Sequence, residues 1–254
     1  MTIYQYSGTV TGFFCVIFEI YTKKQPPALI TSEREYQYLL DTSIQIVDDH
    51  LQHAERVERS IQQKIGKAGF QEILTGLSSG CADKEMILYE YIRLVFQHQS
   101  KVRLMQQDKH VIAFRLLVHQ VSLEIHRMEG FLRFKQLANG VFYAQYEPDH
   151  DITQYLLAYF KNRNNTMSFI IHDQKRNIFG MYNTKQSCLI QSQTDFTPVC
   201  TDEETAFLTL WHQYFHTVQI ADRANKKLQR NYMPQRYQKN MPETYPDINK
   251  PTVK

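Results

Sequence analysis

The richest set of chemically useful side chains lies near the C-terminal end, in residues 223–240. Cations, aromatic rings and an amide are interleaved there: Lys226, Lys227, Arg230, Tyr232, Arg236, Tyr237, Lys239 and Asn240. Phosphate groups bind cationic side chains, and unpaired bases stack on aromatic rings. Amide side chains can donate hydrogen bonds to phosphates or base edges. The segment therefore predicts contact with nucleic acid, and the competing interpretation is a solvated basic tail.

A second cationic group precedes a hairpin in the middle of the chain. Arg127 leads into the first predicted strand, which carries Arg133 and Lys135 on one side, and Tyr143 lies on the second. If this face of the sheet is exposed, it can receive phosphates or bases, as sheet platforms do in RNA-binding proteins. An ordinary half-exposed strand is the competing interpretation.

A third group contains carboxylates and imidazoles. Glu147, Asp149 and His150 stand together after the hairpin, with His126 before it and His172 two strands later. Such side chains at a strand end can transfer protons or bind a divalent metal. Alternatively, Asp149 caps a helix and His172 belongs to a turn. These five residues are the candidate catalytic residues, and whether the chain is an enzyme stays open.

Several familiar sites and segments are absent from the sequence. There is no Walker A loop, no dinucleotide-binding glycine fingerprint and no nucleophile elbow. The four cysteines are widely spaced without a C-x-x-C pair, so we predict no metal site and no cofactor in this chain, and a reducing compartment. Without an 18-residue apolar run or a basic N-terminal region, the sequence predicts a cytoplasmic protein with no membrane span.

The positions of the apolar residues predict the elements that must hold these groups. Residues 1–122 are expected to be mainly helical, and a period of three to four residues over 44–65 indicates one long helix. Strands are predicted over 131–137 and 141–147, joined by Asn139-Gly140, a strong hairpin signal. A helix after Pro148 and further strands over 167–172, 178–182 and 187–190 follow. The predicted fold class is α+β with a largely antiparallel sheet.

The positive charge is concentrated near the C-terminal end. The net charge is +3, and residues 221–240 contain six Lys and Arg residues against Asp222 alone. This basic segment, 221–254, follows a helix whose apolar stripe from Phe207 to Val218 is expected to pack on the rest of the chain. The pattern leaves open whether 1–122, 123–220 and 221–254 are separate domains or one.

Three sequence runs resemble a known family. They are His126-Arg127-Met128-x-Gly130-Phe131-x-Arg133-Phe134, Glu147-Pro148-Asp149-His150-Asp151 and Met233-Pro234-x-Arg236-Tyr237-x-Lys239-Asn240-x-Pro242-Glu243. Together with Tyr6-x-Gly8, Gly12-Phe13 and Phe18-Glu19-x-Tyr21, they are similar to the SAM-associated DNA metabolism proteins, a domain of unknown function. The resemblance spans nearly the whole chain. It departs from the common pattern at Gln238, where a Trp is frequent.

The resemblance implies a place in DNA repair or modification. Members of this family usually accompany a radical SAM protein, which carries SAM and an iron–sulfur cluster, and a related version is fused to a uracil-DNA glycosylase domain. No motif of the glycosylase fold is present here, and the resemblance supplies no catalytic residues. We therefore expect a DNA-binding accessory protein that works with a radical SAM partner. The alternatives are a metal- or His/Asp-dependent enzyme acting on DNA, and a module that binds only protein.

Overall fold

The computed structural model describes residues 1–32, 42–193, 196–218, 220, 223 and 225–244. Contacts between Cα atoms divide the chain into two units, Met1–Ser122 (unit 1) and Leu123–Lys254 (unit 2). None of the helices in the described ranges is both long and apolar enough to cross a lipid bilayer. Each unit has its own sheet and is described separately.

Unit 1 places helices beside a small parallel sheet. Its strands are β1 (Thr2–Gln5), β2 (Leu29–Thr31) and β3 (Ser43–Ile46), in the order β2-β1-β3. Its helices are α1 (Val10–Lys23), α2 (Leu51–Leu77), α3 (Lys84–His98), a 3-10 turn (Gln99–Leu104) and the first part of α4 (Lys109–Phe131). Side chains from α1, α2 and α3, such as Phe14, Ile61 and Ile92, are fully buried in one core. Burial of these apolar side chains holds the helices together.

The predicted helix over 44–65 is wrong at its beginning. Residues 43–46 form β3, which pairs in parallel with β1 from Thr2↔Ser43 to Gln5↔Ile46, and α2 begins only at Leu51. Backbone hydrogen bonds to a distant strand override the local helical pattern here. The helix also continues beyond residue 65, across a kink at Gly66, whose φ of 75° lies in the left-handed region.

Unit 2 is built on a five-stranded mixed sheet. Its strands are β4 (Lys135–Gln136), β5 (Phe142–Tyr146), β6 (Phe169–Asp173), β7 (Ile178–Tyr182) and β8 (Ser187–Gln191), in the order β4-β5-β6-β7-β8. Helix α5 (Thr153–Arg163) connects β5 to β6, and this pair alone is parallel, because a crossover returns the chain in the same direction. The predicted α+β class and largely antiparallel sheet are confirmed.

Helix α4 replaces most of the predicted strand over 131–137. The helix continues to Phe131, and the strand that follows is only Lys135–Gln136. Val121, Glu124, Met128 and Leu132 are all buried at intervals of three and four residues. This helical burial pattern extends the helix beyond residue 122.

In the described residues, the C-terminal part of unit 2 contains helices and a short 3-10 turn after the sheet. They are α6 (Asp202–Val218), α7 (Lys226–Tyr232), α8 (Gln235–Gln238) and the turn Pro242–Thr244. Thr201 caps α6 by accepting the Glu204 N–H at 3.1 Å. The apolar stripe of α6 was expected to be packed, but Phe207, Leu210, Tyr214 and Val218 are each more than half exposed. Trp211 and Phe215 of the same stripe are half-buried, so the expectation is wrong for the four exposed residues.

Candidate functional site

A buried carboxylate lies at the centre of the most connected polar cluster in unit 2. Glu124, on α4, is only 3% exposed. Its Oε1 accepts the Asp149 N–H at 2.9 Å, and its Oε2 accepts the His150 N–H at 2.8 Å. Its Oε1 also accepts a hydrogen bond from the Tyr237 hydroxyl at 2.6 Å. One side chain therefore joins α4, the turn after β5 and the C-terminal helix α8.

Two backbone carbonyl groups of the turn after β5 also accept hydrogen bonds from a side chain. Arg176 donates to the carbonyl oxygens of Pro148 at 3.3 Å and Asp149 at 2.6 Å. The same guanidinium bonds Asp173 Oδ2 at 2.9 Å, and Asp173 is fully buried. Asp149 does not cap the next helix, because α5 begins at Thr153 and its N-cap is Ile152. The turn is therefore fixed by Glu124 on one side and Arg176 on the other.

Helix α8 brings the third sequence run onto this turn. Arg236 Nη2 lies 2.6 Å from Asp149 Oδ2 and donates to the Tyr237 hydroxyl at 2.8 Å. The Tyr237 ring is 5% exposed, with the Arg236 guanidinium 4.7 Å from its centroid and the Phe131 ring 6.2 Å away. Both neighbours approach the ring, so Tyr237 serves as a packed connection in this structure.

Three further pairs extend the cluster. Lys239 forms an ion pair with Glu147. Gln145 donates to the Asn240 side-chain oxygen at 3.2 Å. Arg133 bonds the buried Glu243 carboxylate through Nε at 2.9 Å. We call the charged members of this cluster, together with Tyr237, the carboxylate network: Glu124, Arg133, Glu147, Asp149, Arg236, Tyr237, Lys239 and Glu243.

The five candidate catalytic residues are not gathered in one place. Glu147 and Asp149 belong to the carboxylate network, and the His150 backbone is bonded to Glu124. The side chain of His126 is 85% exposed and faces Glu129 at 3.7 Å. His172 lies in the sheet on β6. The structure thus separates the two other histidines from the group after β5.

His172 is held on one face of the sheet by three side chains. Its Nδ1 lies 2.7 Å from the Tyr143 hydroxyl and its Nε2 lies 2.9 Å from Asn177 Oδ1, while its ring stacks on Phe179 at 4.0 Å. Burial raises the pKa of Tyr143 to about 12. Tyr143 is fully buried, so the sheet face predicted to be an exposed platform for bases is closed at this residue.

Burial also sets the protonation of two imidazoles. It lowers the pKa of His172. It also lowers the pKa of His150, although the negative charges of Glu124 and Asp149 act to raise it. Both rings are therefore favoured in the neutral form at neutral pH. Among the described residues, no group of three or more His, Cys, Asp or Glu side chains has the arrangement of a metal site.

Helix α7 differs from the network. Lys227 and Arg230 are exposed, and Tyr232 is 71% exposed. Neither cation has an ionic partner within the described ranges, and the same is true of the half-exposed Arg127. Lys227 and Arg230 are three positions apart, so they lie on one side of the helix. Lys226 begins α7, but its side chain lies outside the described residues.

Sequence reasoning missed three members of these clusters: Glu124, Arg176 and Glu243. A signal existed for Glu124, because Leu117, Val121, Glu124 and Met128 follow the spacing of one helix face. A carboxylate on an apolar face must find hydrogen-bond donors when it is buried. Glu243 ends the third run of the resemblance but had no role assigned to it, and no local pattern distinguishes Arg176.

These features describe an α+β protein whose C-terminal segment is fastened to its second unit by buried carboxylates. The model of a family described as a domain of unknown function, DUF4130, matches residues 82–243. The match covers more than half of the chain, so the chain belongs to this family. It includes the three runs at 126–134, 147–151 and 233–243 that build most of the carboxylate network. No curated protein and no solved structure matches the chain.

Proposed function

We propose that the chain is a nucleic-acid-binding accessory protein of DNA repair or modification that works with a radical SAM partner. The observation that carries the binding proposal is helix α7, where Lys227 and Arg230 are exposed and have no carboxylate partner among the described residues, and where the ring of Tyr232, at the end of the same helix, is exposed as well. Cations on such a helix release counterions when they bind phosphates, and the aromatic ring can stack on an unpaired base. Arg127 is a further candidate contact.

The network cations have a different role in this proposal. Arg133, Arg236 and Lys239 already face carboxylates, and a phosphate would have to displace those partners. Tyr237 and Asn240 are likewise engaged with Glu124 and Gln145. We therefore assign these five residues to positioning the C-terminal segment from which α7 extends, and assign direct phosphate contact to α7.

The test is fluorescence anisotropy of labelled DNA with the full chain across a salt series. The variant Lys227→Gln/Arg230→Gln should weaken binding and reduce the slope of log K against log salt by about 1.4 to 1.8, for two phosphate contacts. The matched control Lys175→Gln/Lys185→Gln removes the same charge from other exposed positions of unit 2 and should leave the slope unchanged. If the α7 variant and the control variant have the same slope of log K against log salt, α7 does not contact the DNA phosphates.

The partner part of the proposal is supported by the exposed apolar stripe of α6. Monomeric proteins rarely leave large apolar patches exposed, and such patches commonly mark partner surfaces. The full chain should co-purify with a radical SAM protein in high salt after nuclease treatment, and Leu210→Glu/Tyr214→Glu should reduce recovery. Recovery that disappears with the nuclease would mean that DNA alone joins the two proteins.

An enzyme acting on DNA is a second candidate, favoured by one observation. His150 is half-buried beside Asp149, and burial lowers its pKa, so a neutral imidazole is available as a general base at neutral pH. The purified chain should then cleave or modify oligonucleotides from a panel of lesions with divalent metals. Asp149→Ala or His150→Gln should abolish that turnover, and the absence of turnover across the panel would exclude this candidate.

A further inference from the structure

A groove in unit 1 involves none of the residues assigned to nucleic acid above. It lies between α1, α2 and α3 and has a volume of about 630 Å³. Three aromatic rings, Phe18, Tyr21 and Phe96, line it together with two cations of α2, Arg56 and Lys64. Grooves of this size accept ligands as large as a nucleotide.

The cations of the groove are placed against its aromatic rings. The Arg56 guanidinium carbon lies 5.9 Å from the centre of the Phe18 ring, and Lys64 Nζ lies 5.9 Å from the centre of the Phe96 ring. Arg56, Ser60 and Lys64 are spaced by four residues, so they share one side of α2. The two cations are about 12 Å apart along the helix axis. Neither has a carboxylate partner in the part of the chain described.

Tyr21 offers the most accessible aromatic surface in the groove. It is 43% exposed, and its ring stands at 86° to the Phe96 ring at 5.0 Å. Phe18 is less available, because the His53 ring stacks on it at 4.0 Å. The Tyr21 hydroxyl is protonated at neutral pH already at the usual tyrosine pKa of about 10, and burial raises its pKa further, to about 12.

We propose that this groove binds an unpaired stretch of nucleic acid, with a base on Tyr21 and the phosphates on Arg56 and Lys64. Aromatic rings interleaved with unpaired cations are the features that single-strand binding requires, whereas an apolar peptide would use the rings alone. Bases within a duplex are already stacked, so the groove selects unpaired nucleotides. The inference rests on the proposed function for the nature of the ligand and adds a preference for single strands.

Anisotropy with a fluorescein-labelled oligo-dT and with a duplex tests the groove in the full chain. Tyr21→Ala should weaken single-strand binding roughly 5- to 150-fold and leave duplex binding unchanged, while Tyr21→Phe should bind almost as the unchanged chain does. Arg56→Gln/Lys64→Gln should reduce the single-strand salt slope by about 1.4. Lys67→Gln, an exposed cation of the same helix outside the groove, is the control. Thermal unfolding checks that each variant is folded.

The outcomes separate the groove from helix α7. Single-strand binding that falls in Tyr21→Ala but not in Lys227→Gln/Arg230→Gln supports the groove and contradicts the role of α7. The reverse result overturns the groove alone. Binding of an amphipathic helical peptide that Tyr21→Ala abolishes, with no effect on oligo-dT, would assign the groove to a protein and overturn the inference. Failure to bind any oligonucleotide overturns both proposals.

Discussion

The C-terminal segment contains two kinds of cation that look alike in the sequence. Arg236 and Lys239 face the carboxylates of Asp149 and Glu147, beside an aromatic ring that is almost fully buried. Lys227 and Arg230, six to twelve residues earlier, are exposed and have no ionic partner among the described residues. The cations of the C-terminal segment therefore form two groups. One group fastens the chain through ion pairs, and the other is exposed and can bind a ligand.

This difference determines which cations can bind a ligand at low cost. When an unpaired lysine or arginine binds a phosphate, it displaces only the cations condensed on the nucleic acid. A cation paired with a carboxylate must first give up that partner, and where the carboxylate is buried, a charge is left without compensation. The carboxylate network should therefore govern stability, and α7 should govern affinity for nucleic acid.

The largest effect on stability is expected at Glu124. Glu124→Ala removes the acceptor of two backbone N–H groups and of the Tyr237 hydroxyl, and should lower the free energy of unfolding by about 3 to 5 kcal/mol. Urea unfolding monitored by circular dichroism measures the change. Glu129→Ala, on the same helix beside the exposed His126, should change stability by less than about 0.5 kcal/mol. Equal effects of the two variants would show that the network is not what fastens the segment.

The next largest effect concerns the pair of Arg133 and Glu243. The Glu243 side chain is 6% exposed, so Arg133→Met leaves a buried carboxylate without its cation and should cost about 2 to 4 kcal/mol. The double variant Arg133→Met/Glu243→Leu should recover most of that loss, because no uncompensated charge remains. Additive losses in this cycle, measured by urea unfolding, would contradict a direct coupling between the two residues.

Several members of the network were predicted from the sequence, but their connections were not. Glu147, Asp149, Arg236 and Lys239 were predicted to be functional, in two separate groups with different chemistry. The structure joins them through Glu124, whose hydrogen-bond partners are 25, 26 and 113 residues away along the chain. Local spacing carries no information about such distant pairing.

The fold shows the same division between local and distant information. The strand over 178–182 was predicted with the bounds Ile178–Tyr182 that the structure has, because its pattern and its turns are local. Strand β3 was missed, because it exists through pairing with β1 some forty residues earlier. The exposed stripe of α6 has a clear helical pattern, but periodicity does not tell which surface covers it.

A smaller effect on stability is expected from lowering the pH, and it distinguishes the contribution of His172, in the sheet, from that of His150, beside the carboxylate network. Burial lowers the pKa of His172 below the value of about 6.5 for an unfolded chain. The folded state then binds fewer protons than the unfolded state, so this contribution to stability is complete above about pH 6.5 and is lost as the pH falls from there towards the folded pKa. Urea midpoints at pH 7.5 and 5.5 measure the loss.

His172→Gln should make this decrease smaller, because the glutamine does not titrate. The pKa of His150 is also lowered by burial, so His150→Gln should reduce the same decrease independently. If neither variant changes the difference between the two midpoints, groups other than these imidazoles are responsible for the acid sensitivity. A change in His150→Gln alone would place the sensitivity in the network and not in the sheet.

The smallest effect is the one that most sharpens the comparison of the two kinds of cation. Arg236→Gln/Lys239→Gln removes two positive charges, as Lys227→Gln/Arg230→Gln does, but from side chains whose charge is already balanced by Asp149 and Glu147. Because these ion pairs are half-exposed, the variant should lose no more than about 1 kcal/mol for each pair. The slope of log K against log salt for DNA should stay within the error of the unchanged chain, since no phosphate contact is removed. A slope that falls as far as in the α7 variant would mean that DNA displaces the carboxylates, and that the network is part of the interface.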